Sequence, residues 1–163
     1  MKHIFSTLIV VMVIGLTGCA TTGTQTSASE STFNQQRIAA LTQAIHKRGG
    51  SVSQLLFLEI PSASEAIADY LSVGLIKAGS PSNAMDALLE LLQKAPGAQV
   101  AVFGTSDAVT AATVQGVLKS LRSSPDHSKT TLWVALKNPF GHAKELRVAA
   151  QTAGLHLEVL PSL

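Results

Sequence analysis

The stretch that decides the fold runs from Gln99 to Leu121 and reads QVAVFGTSDAVTAATVQGVLKSL. It opens with the apolar run Gln99 to Phe103 and continues through a polar turn, Gly104 to Asp107. The run is nearly continuous in apolar residues, which is typical of a strand covered on both faces. The residues after the turn have helical apolar spacing, at Val114, Val117, Leu118 and Leu121. The stretch therefore predicts a buried strand, a short turn and a helix that packs on the sheet.

The same unit recurs along the chain. Further apolar runs predict strands at Leu55 to Ile60, Thr131 to Leu136 and His156 to Leu160. Helical stripes separate these runs, and their apolar residues are Ile38, Leu41 and Ile45; Ile67, Leu71, Leu75 and Ala78; Met85, Leu88, Leu89 and Leu92; and Leu146, Ala149, Ala150 and Ala153. Strand–helix alternation with short connections favours parallel strands and right-handed crossovers. We therefore expect a compact three-layer α/β sandwich of about four mostly parallel strands, flavodoxin-like or Rossmann-like in outline.

Turn and cap residues support these boundaries. Ser62 and Glu65 have the spacing of a capping box, which predicts a helix start. Pro81 separates two helical stripes that would otherwise merge. Further cap residues near helix starts are Ser82, Ser106 or Asp107, and Asn138 with Pro139, and the glycines that follow helical stretches are Gly49, Gly79, Gly97 and Gly154.

The N-terminal residues have the layout of a secretory signal peptide. Lys2 supplies a positive start, residues 4–16 are mostly apolar, and small residues precede Cys19. The sequence Leu16-Thr17-Gly18-Cys19 resembles the lipobox of bacterial lipoproteins. That resemblance implies cleavage before Cys19, diacylation of its thiol and acylation of the new amine. The alternatives are a buried core thiol and a transmembrane helix, for which the apolar run is short.

The leader divides the chain into three parts. Residues 1–18 form the predicted signal peptide, and residues 19–32 form a lipidated cysteine with a flexible tether rich in Thr, Ser, Ala and Gly. Residues 33–163 form the predicted α/β domain. Ala20 follows the cysteine, where family precedent associates an aspartate with inner-membrane retention. The resemblance therefore implies an outer-membrane anchor with the domain facing the periplasm.

Composition excludes some classes of partner. The chain has a formal charge of +2, its basic residues are scattered, and it has one Trp and one Tyr. Nucleic-acid binding needs a basic stripe with stacking partners, so we do not expect it. No glycine-rich dinucleotide motif or phosphate loop is present in the sequence, and no histidine spacing indicates a metal site. We therefore expect no cofactor, and the expected partners are the membrane through Cys19 and envelope proteins.

Candidate ligand-binding residues follow the predicted strands, because open parallel sheets bind ligands beyond their carboxyl ends at a switch in strand order. Glu59 is a carboxylate near the end of an apolar run, where it is either a partnered buried acid or a solvated strand-end residue. The other candidates in the polar loops are Ser62, Thr105, Ser106, Asp107, Asn138 and His142. Ordinary helix capping uses the same residue types.

Ser106 allows one enzymatic hypothesis. Gly104 to Ala108 resembles the Gly-x-Ser-x-Gly nucleophile elbow of α/β-hydrolases, with Ala108 in place of the final glycine. That resemblance implies Ser106 as the nucleophile, and Asp126 with His142 or His156 would satisfy the chain order. However, Asp126 lies in a loop that should enter a strand from the opposite end of the sheet, and no glycine-rich oxyanion segment is visible.

Three functional hypotheses remain open. The first is a non-enzymatic envelope lipoprotein that presents its domain to other proteins, as an accessory of a surface, pilus, secretion or conjugation apparatus. The second is a periplasmic small-ligand binder or sensor that uses the strand-end loops. The third is a serine hydrolase that uses Ser106.

Overall fold

The computed structural model describes residues 27–62, 66–121 and 127–161. Its elements in chain order are α1 (Ser27–Lys47), β1 (Leu55–Ile60), α2 (Ala66–Lys77), α3 (Asn83–Lys94), β2 (Gln99–Gly104), α4 (Asp107–Ser120), β3 (Thr131–Leu136), a 3-10 turn (Pro139–Gly141), α5 (Ala143–Thr152) and β4 (His156–Pro161). All four predicted strands are confirmed, and β2 and β4 each extend one residue further than the sequence pattern indicated.

The four strands form one sheet in which every neighbouring pair is parallel. Helices cover both faces, so the predicted three-layer α/β fold is confirmed. The strand order, which the sequence left open, is sequential, β1-β2-β3-β4. Flavodoxin and Rossmann sheets reverse their order partway across, and that reversal opens their ligand crevice. The sheet of the described residues has no such reversal.

The sequential order determines which helices lie on which face. Right-handed crossovers between successive neighbouring strands all return over the same face of the sheet. Helices α2 to α5 accordingly share a core with Val100, Val102 and Val134 on one face. Helix α1 packs on the opposite face against Phe103 and Trp133. The apolar character of β2 and β3 is thus explained by burial on both sides.

Helix α1 runs antiparallel to the strands. Asn34 and Arg37 near its beginning contact the carboxyl ends of β1 and β2, whereas Ile45 near its end packs beside Gly50 and Trp133 at the opposite edge. The helix begins at Ser27, so residues 27–32, which the sequence assigned to the tether, are helical.

The predicted apolar faces of α3, α4 and α5 are confirmed. Leu88 and Leu92 of α3, Leu118 of α4 and Leu146 of α5 are all buried in the same core. Ser82 and Ser106 cap α3 and α4 by accepting N–H bonds from Met85 and Val109. The four glycines predicted to end helical stretches all have positive φ, between 71° and 89°. The predicted partner of Ser62 in a capping box, Glu65, lies outside the described residues.

The predicted core face of α2 is wrong. Leu71 and Leu75 are 61% and 59% exposed, and Ala78 is also exposed; the side chain of Ile67 lies outside the described set. Val73 and Ile76 face inward instead. Helix α2 is apolar on nearly every side, so its sequence does not define a single inner face. It packs on small residues of α4, where a methyl group of Ile76 lies 3.6 Å from the Cβ position of Gly116.

Candidate functional site

The polar loops that follow β1, β2 and β3 lie at one edge of the sheet, as parallel strands require, and we call this the carboxyl edge. Direct hydrogen bonds tie neighbouring loops together. The hydroxyl groups of Ser62 and Thr105 hydrogen-bond to each other and join the loops after β1 and β2. The site candidates Ser62 and Thr105 are therefore brought together by the fold.

Asp107 joins the next pair of loops. The backbone N–H groups of Lys137 and Asn138 donate to its two carboxylate oxygens, at 2.8 and 2.7 Å. Hydrogen bonds to a charged acceptor are among the stronger ones in proteins, so this contact holds the start of α4 against the end of β3. Asn138 is thus beside Asp107 through its backbone, and its side chain makes no cap bond to the 3-10 turn. Both predicted candidates have a clear structural role.

Ser106 is the N-cap of α4. Its Oγ accepts the backbone N–H of Val109 at 3.5 Å, and its backbone is extended, with φ −113° and ψ 117°. This is the usual conformation of an N-cap residue. Asp126, which the hydrolase hypothesis requires, lies outside the described residues.

Glu59 is a partnered but accessible carboxylate. Its side chain is 40% exposed and lies 3.9 Å from the guanidinium of Arg37. The Nδ2 group of Asn34 donates to its other oxygen at 2.9 Å. The structure thus places this acid at the rim of the sheet, where two residues of α1 hold it.

Arg37 is the residue at this edge that sequence reasoning missed. It is 6% exposed, and its guanidinium donates to the carbonyl oxygen of Gly104 at 2.7 Å. Its Cζ atom also lies 5.0 Å from the centre of the Phe103 ring, a cation–π distance. Arg37 belongs to the helical stripe of Leu41 and Ile45, four and eight positions on. A basic residue on the apolar stripe that predicts the buried side of α1 was the signal in the sequence for a buried, partnered arginine.

Gly104 allows the ends of β1 and β2 to approach each other closely. A Cβ atom at this position would lie 2.4 Å from Oγ1 of Thr110 and 2.8 Å from the carbonyl oxygen of Ile60. The backbone of Ile60 in β1 and the side chain of Thr110 in α4 therefore occupy the space that any side chain at position 104 would need.

His142 stands at the start of α5, at the same edge. It lines a groove among α2, α4 and α5 together with Lys77, Gln115 and Glu145. The volume of the groove is about 70 Å³, well below the several hundred Å³ typical of small-molecule sites. Within the described ranges, no group of three metal-ligating side chains converges, and no helix has the length and apolar character needed to cross a membrane.

Comparison with protein families, with curated proteins and with solved structures finds no match to this chain. Its function must therefore be argued from its own residues. Ser62, Thr105 and Asp107 join neighbouring loops of the carboxyl edge by hydrogen bonds, and Ser106 caps α4. This arrangement explains these residues as structural groups of the fold.

Proposed function

We propose that this protein is a non-enzymatic envelope lipoprotein that presents its α/β domain to other proteins. Cys19 would be its lipid anchor at the outer membrane, and the domain would face the periplasm. A surface, pilus, secretion or conjugation apparatus is the class of machine that such an accessory would serve, by analogy. The observation that supports the interaction most directly is the exposed apolar side of α2.

We call this side the outer α2 face and define it by Leu71, Gly74, Leu75 and Ala78, all of which are exposed. No charged residue belongs to it, although a helix surface that remains in water is normally polar. Contiguous apolar surface of this kind marks interaction sites in soluble domains. The expected occupant is an apolar, uncharged surface of an envelope protein.

Gly74 adds shape to the outer α2 face. No atom lies within 4 Å of the position that a Cβ would occupy there, so the backbone is open to approach from outside. Leu71 and Leu75, the leucines nearest to Gly74 in the helix, are both exposed. A partner with one protruding apolar side chain would therefore fit the face better than a flat surface would.

The anchor proposal rests on the sequence around Cys19. Each buried methylene contributes about 0.8 kcal/mol, one acyl chain binds a membrane only marginally, and two or more hold it stably. A multiply acylated Cys19 would keep the domain at the membrane surface. The substitution Cys19→Ala should leave an uncut precursor without acyl groups, which intact-mass measurement detects directly. Normal cleavage and membrane retention in that variant would contradict the lipoprotein proposal.

The interaction proposal is tested by crosslinking the full-length protein in its own membrane and identifying the products by mass spectrometry. Leu71→Glu combined with Leu75→Glu should remove a crosslinked envelope protein that the unchanged protein captures. A matched control is Gln93→Glu with Gln151→Glu, which adds the same charge at exposed helical positions. The control should retain the product. Equal capture by both double variants would refute an interface on the outer α2 face.

A further inference from the structure

The structure also bears on which side of the domain faces the membrane, an inference that rests on the proposed anchor at Cys19. Helix α1 runs antiparallel to the strands, so its first residue lies on the side of the carboxyl edge. Asn34 is level with Glu59, the penultimate residue of β1. Ser27 precedes Asn34 by seven residues, which places it about 10 Å further out along the helix axis.

The length of chain before α1 limits how the domain can be oriented. Cys19 and Ser27 are eight residues apart, so they are separated by at most about 28 Å, even in a fully extended chain. Helix α1 itself is about 31 Å long. If the opposite edge of the sheet touched the membrane, Ser27 would lie roughly this helix length above the surface. A fully extended connection falls slightly short of that height, so the length of the chain favours the carboxyl edge as the side that faces the membrane.

The carboxyl edge bears side chains suited to a lipid interface. Phe140, in the turn between β3 and α5, is 92% exposed, and Tyr70, in the second turn of α2, is 80% exposed. Val73 lines the same groove as Ala108 and His142 at the starts of α4 and α5, so the part of α2 before it lies at this edge. Aromatic side chains with an apolar body are common at the boundary between headgroups and acyl chains.

Basic residues flank the exposed ring. Lys137 and Lys144 are both exposed and lie three and four positions from Phe140 in the chain. Exposed carboxylates at the same edge, including Glu59 and Glu145, offset these lysines, so the proposed contact with lipid depends on the aromatic side chains and not on charge. Most of the Phe140 ring is in contact with water, and insertion at the membrane interface would remove that apolar surface from water.

We propose that the carboxyl edge docks on the bilayer that holds Cys19, with Phe140 and Tyr70 inserted at the interface between headgroups and acyl chains. Helix α2 runs alongside α4 from the carboxyl edge toward the opposite edge of the sheet. With the carboxyl edge on the membrane, the outer α2 face therefore points parallel to the membrane surface. One edge of the domain meets lipid and a lateral face remains available to protein.

The test uses tryptophan as a depth probe in the full-length protein. Phe140→Trp places the probe at the carboxyl edge, Val52→Trp places it at the opposite edge, and Leu75→Trp places it on the outer α2 face. Val52 is 43% exposed and precedes β1, which makes it a matched control. The native Trp133 is buried and gives the same background in all variants. Each variant is purified from membranes and reconstituted in vesicles that contain brominated phospholipid, which quenches tryptophan on contact.

The expected result is loss of most of the added emission for Phe140→Trp and retention of it for Val52→Trp and Leu75→Trp. Equal quenching at all positions, no quenching at position 140, or quenching mainly at position 75 would overturn the proposed orientation. The intact mass of the same preparations reports acylation of Cys19 separately. If Cys19 is unmodified, the anchor proposal fails, and coupling this single thiol of the chain to maleimide-bearing lipid still tests the orientation.

Discussion

Replacing Leu75 and Leu118 by alanine, one at a time, tests how α2 is packed. Both leucines lie within helices, so the small difference in helix propensity between leucine and alanine is common to both changes. Leu118 of α4 is 0% exposed and belongs to the core that α2 to α5 share with the sheet. Leu75 is 59% exposed. The pair therefore compares a filled core position with a position on the outer α2 face.

The expected free energies follow from burial. Truncating a buried leucine loses its transfer free energy and leaves a cavity, which together cost about 3–5 kcal/mol. Leu75 loses the contacts of less than half of its surface, and water fills the space that it leaves. Its truncation should therefore lower the free energy of unfolding by under ~1 kcal/mol.

Urea unfolding of the full-length protein in mild detergent, followed by circular dichroism, measures both values. With a slope of about 2 kcal/mol per molar urea, Leu118→Ala should lower the midpoint by roughly 1.5–2.5 M and Leu75→Ala by less than about 0.5 M. Similar large shifts for both variants would refute the packing of α2 described above, because Leu75 would then belong to the core. The outer α2 face would lose its status as an interaction surface at the same time.

Further substitutions test the carboxyl edge by the same unfolding measurement. Gly104→Ala should destabilise the protein by about 2–4 kcal/mol, because the new Cβ would overlap Thr110 and the β1 backbone. The control is Gly141→Ala, where the space is open and the change in stability should be under ~1 kcal/mol. Arg37→Met, which keeps much of the side-chain volume, should cost about 1–3 kcal/mol by leaving a buried strand-end carbonyl without its donor; an unchanged midpoint would contradict this role. Asp107→Asn should cost about 1–2 kcal/mol, since one carboxylate oxygen that accepts a backbone N–H becomes an amide group that cannot; full stability in Asp107→Asn would show that these bonds contribute little.

The strands could be predicted from the sequence because each is a short apolar run bounded by turn residues. Gln99 to Phe103 and Thr131 to Leu136 are buried on both faces, so their composition alone distinguishes them from loops. Strand order could not be predicted, because it depends on which strands pair and not on the pattern within each strand. The sequential order removes the switch point on which the expectation of a ligand crevice depended.

Side-chain roles were predictable only where the pattern was unambiguous. Helix α2 has apolar residues on almost every side, so the choice of Val73 and Ile76 over Leu71 and Leu75 depends on the small residues of α4 that it meets. The partners of Glu59 come from α1, more than twenty positions earlier in the chain. Contacts at this sequence distance follow from the antiparallel path of α1, which no local pattern specifies.

The proposed lipid anchor and the outer α2 face are consistent with a protein held at a membrane while one lateral surface meets a partner. Phe140 and Tyr70 at the carboxyl edge fit the same proposed arrangement, because they lie on the side of the domain where α1 begins. The three proposals can fail separately, since they depend on acylation, on insertion at the edge and on contact at α2.

The most direct test of the central proposal is photo-crosslinking in living cells with a photoreactive amino acid at position 75 of the full-length protein. The matched control has the same amino acid at Gln93, an exposed position of α3. We predict a light-dependent product with one defined envelope protein from position 75, absent at position 93 and lost when Cys19 is changed to alanine. No product at position 75, or the same set of products at both positions, would contradict the proposed function.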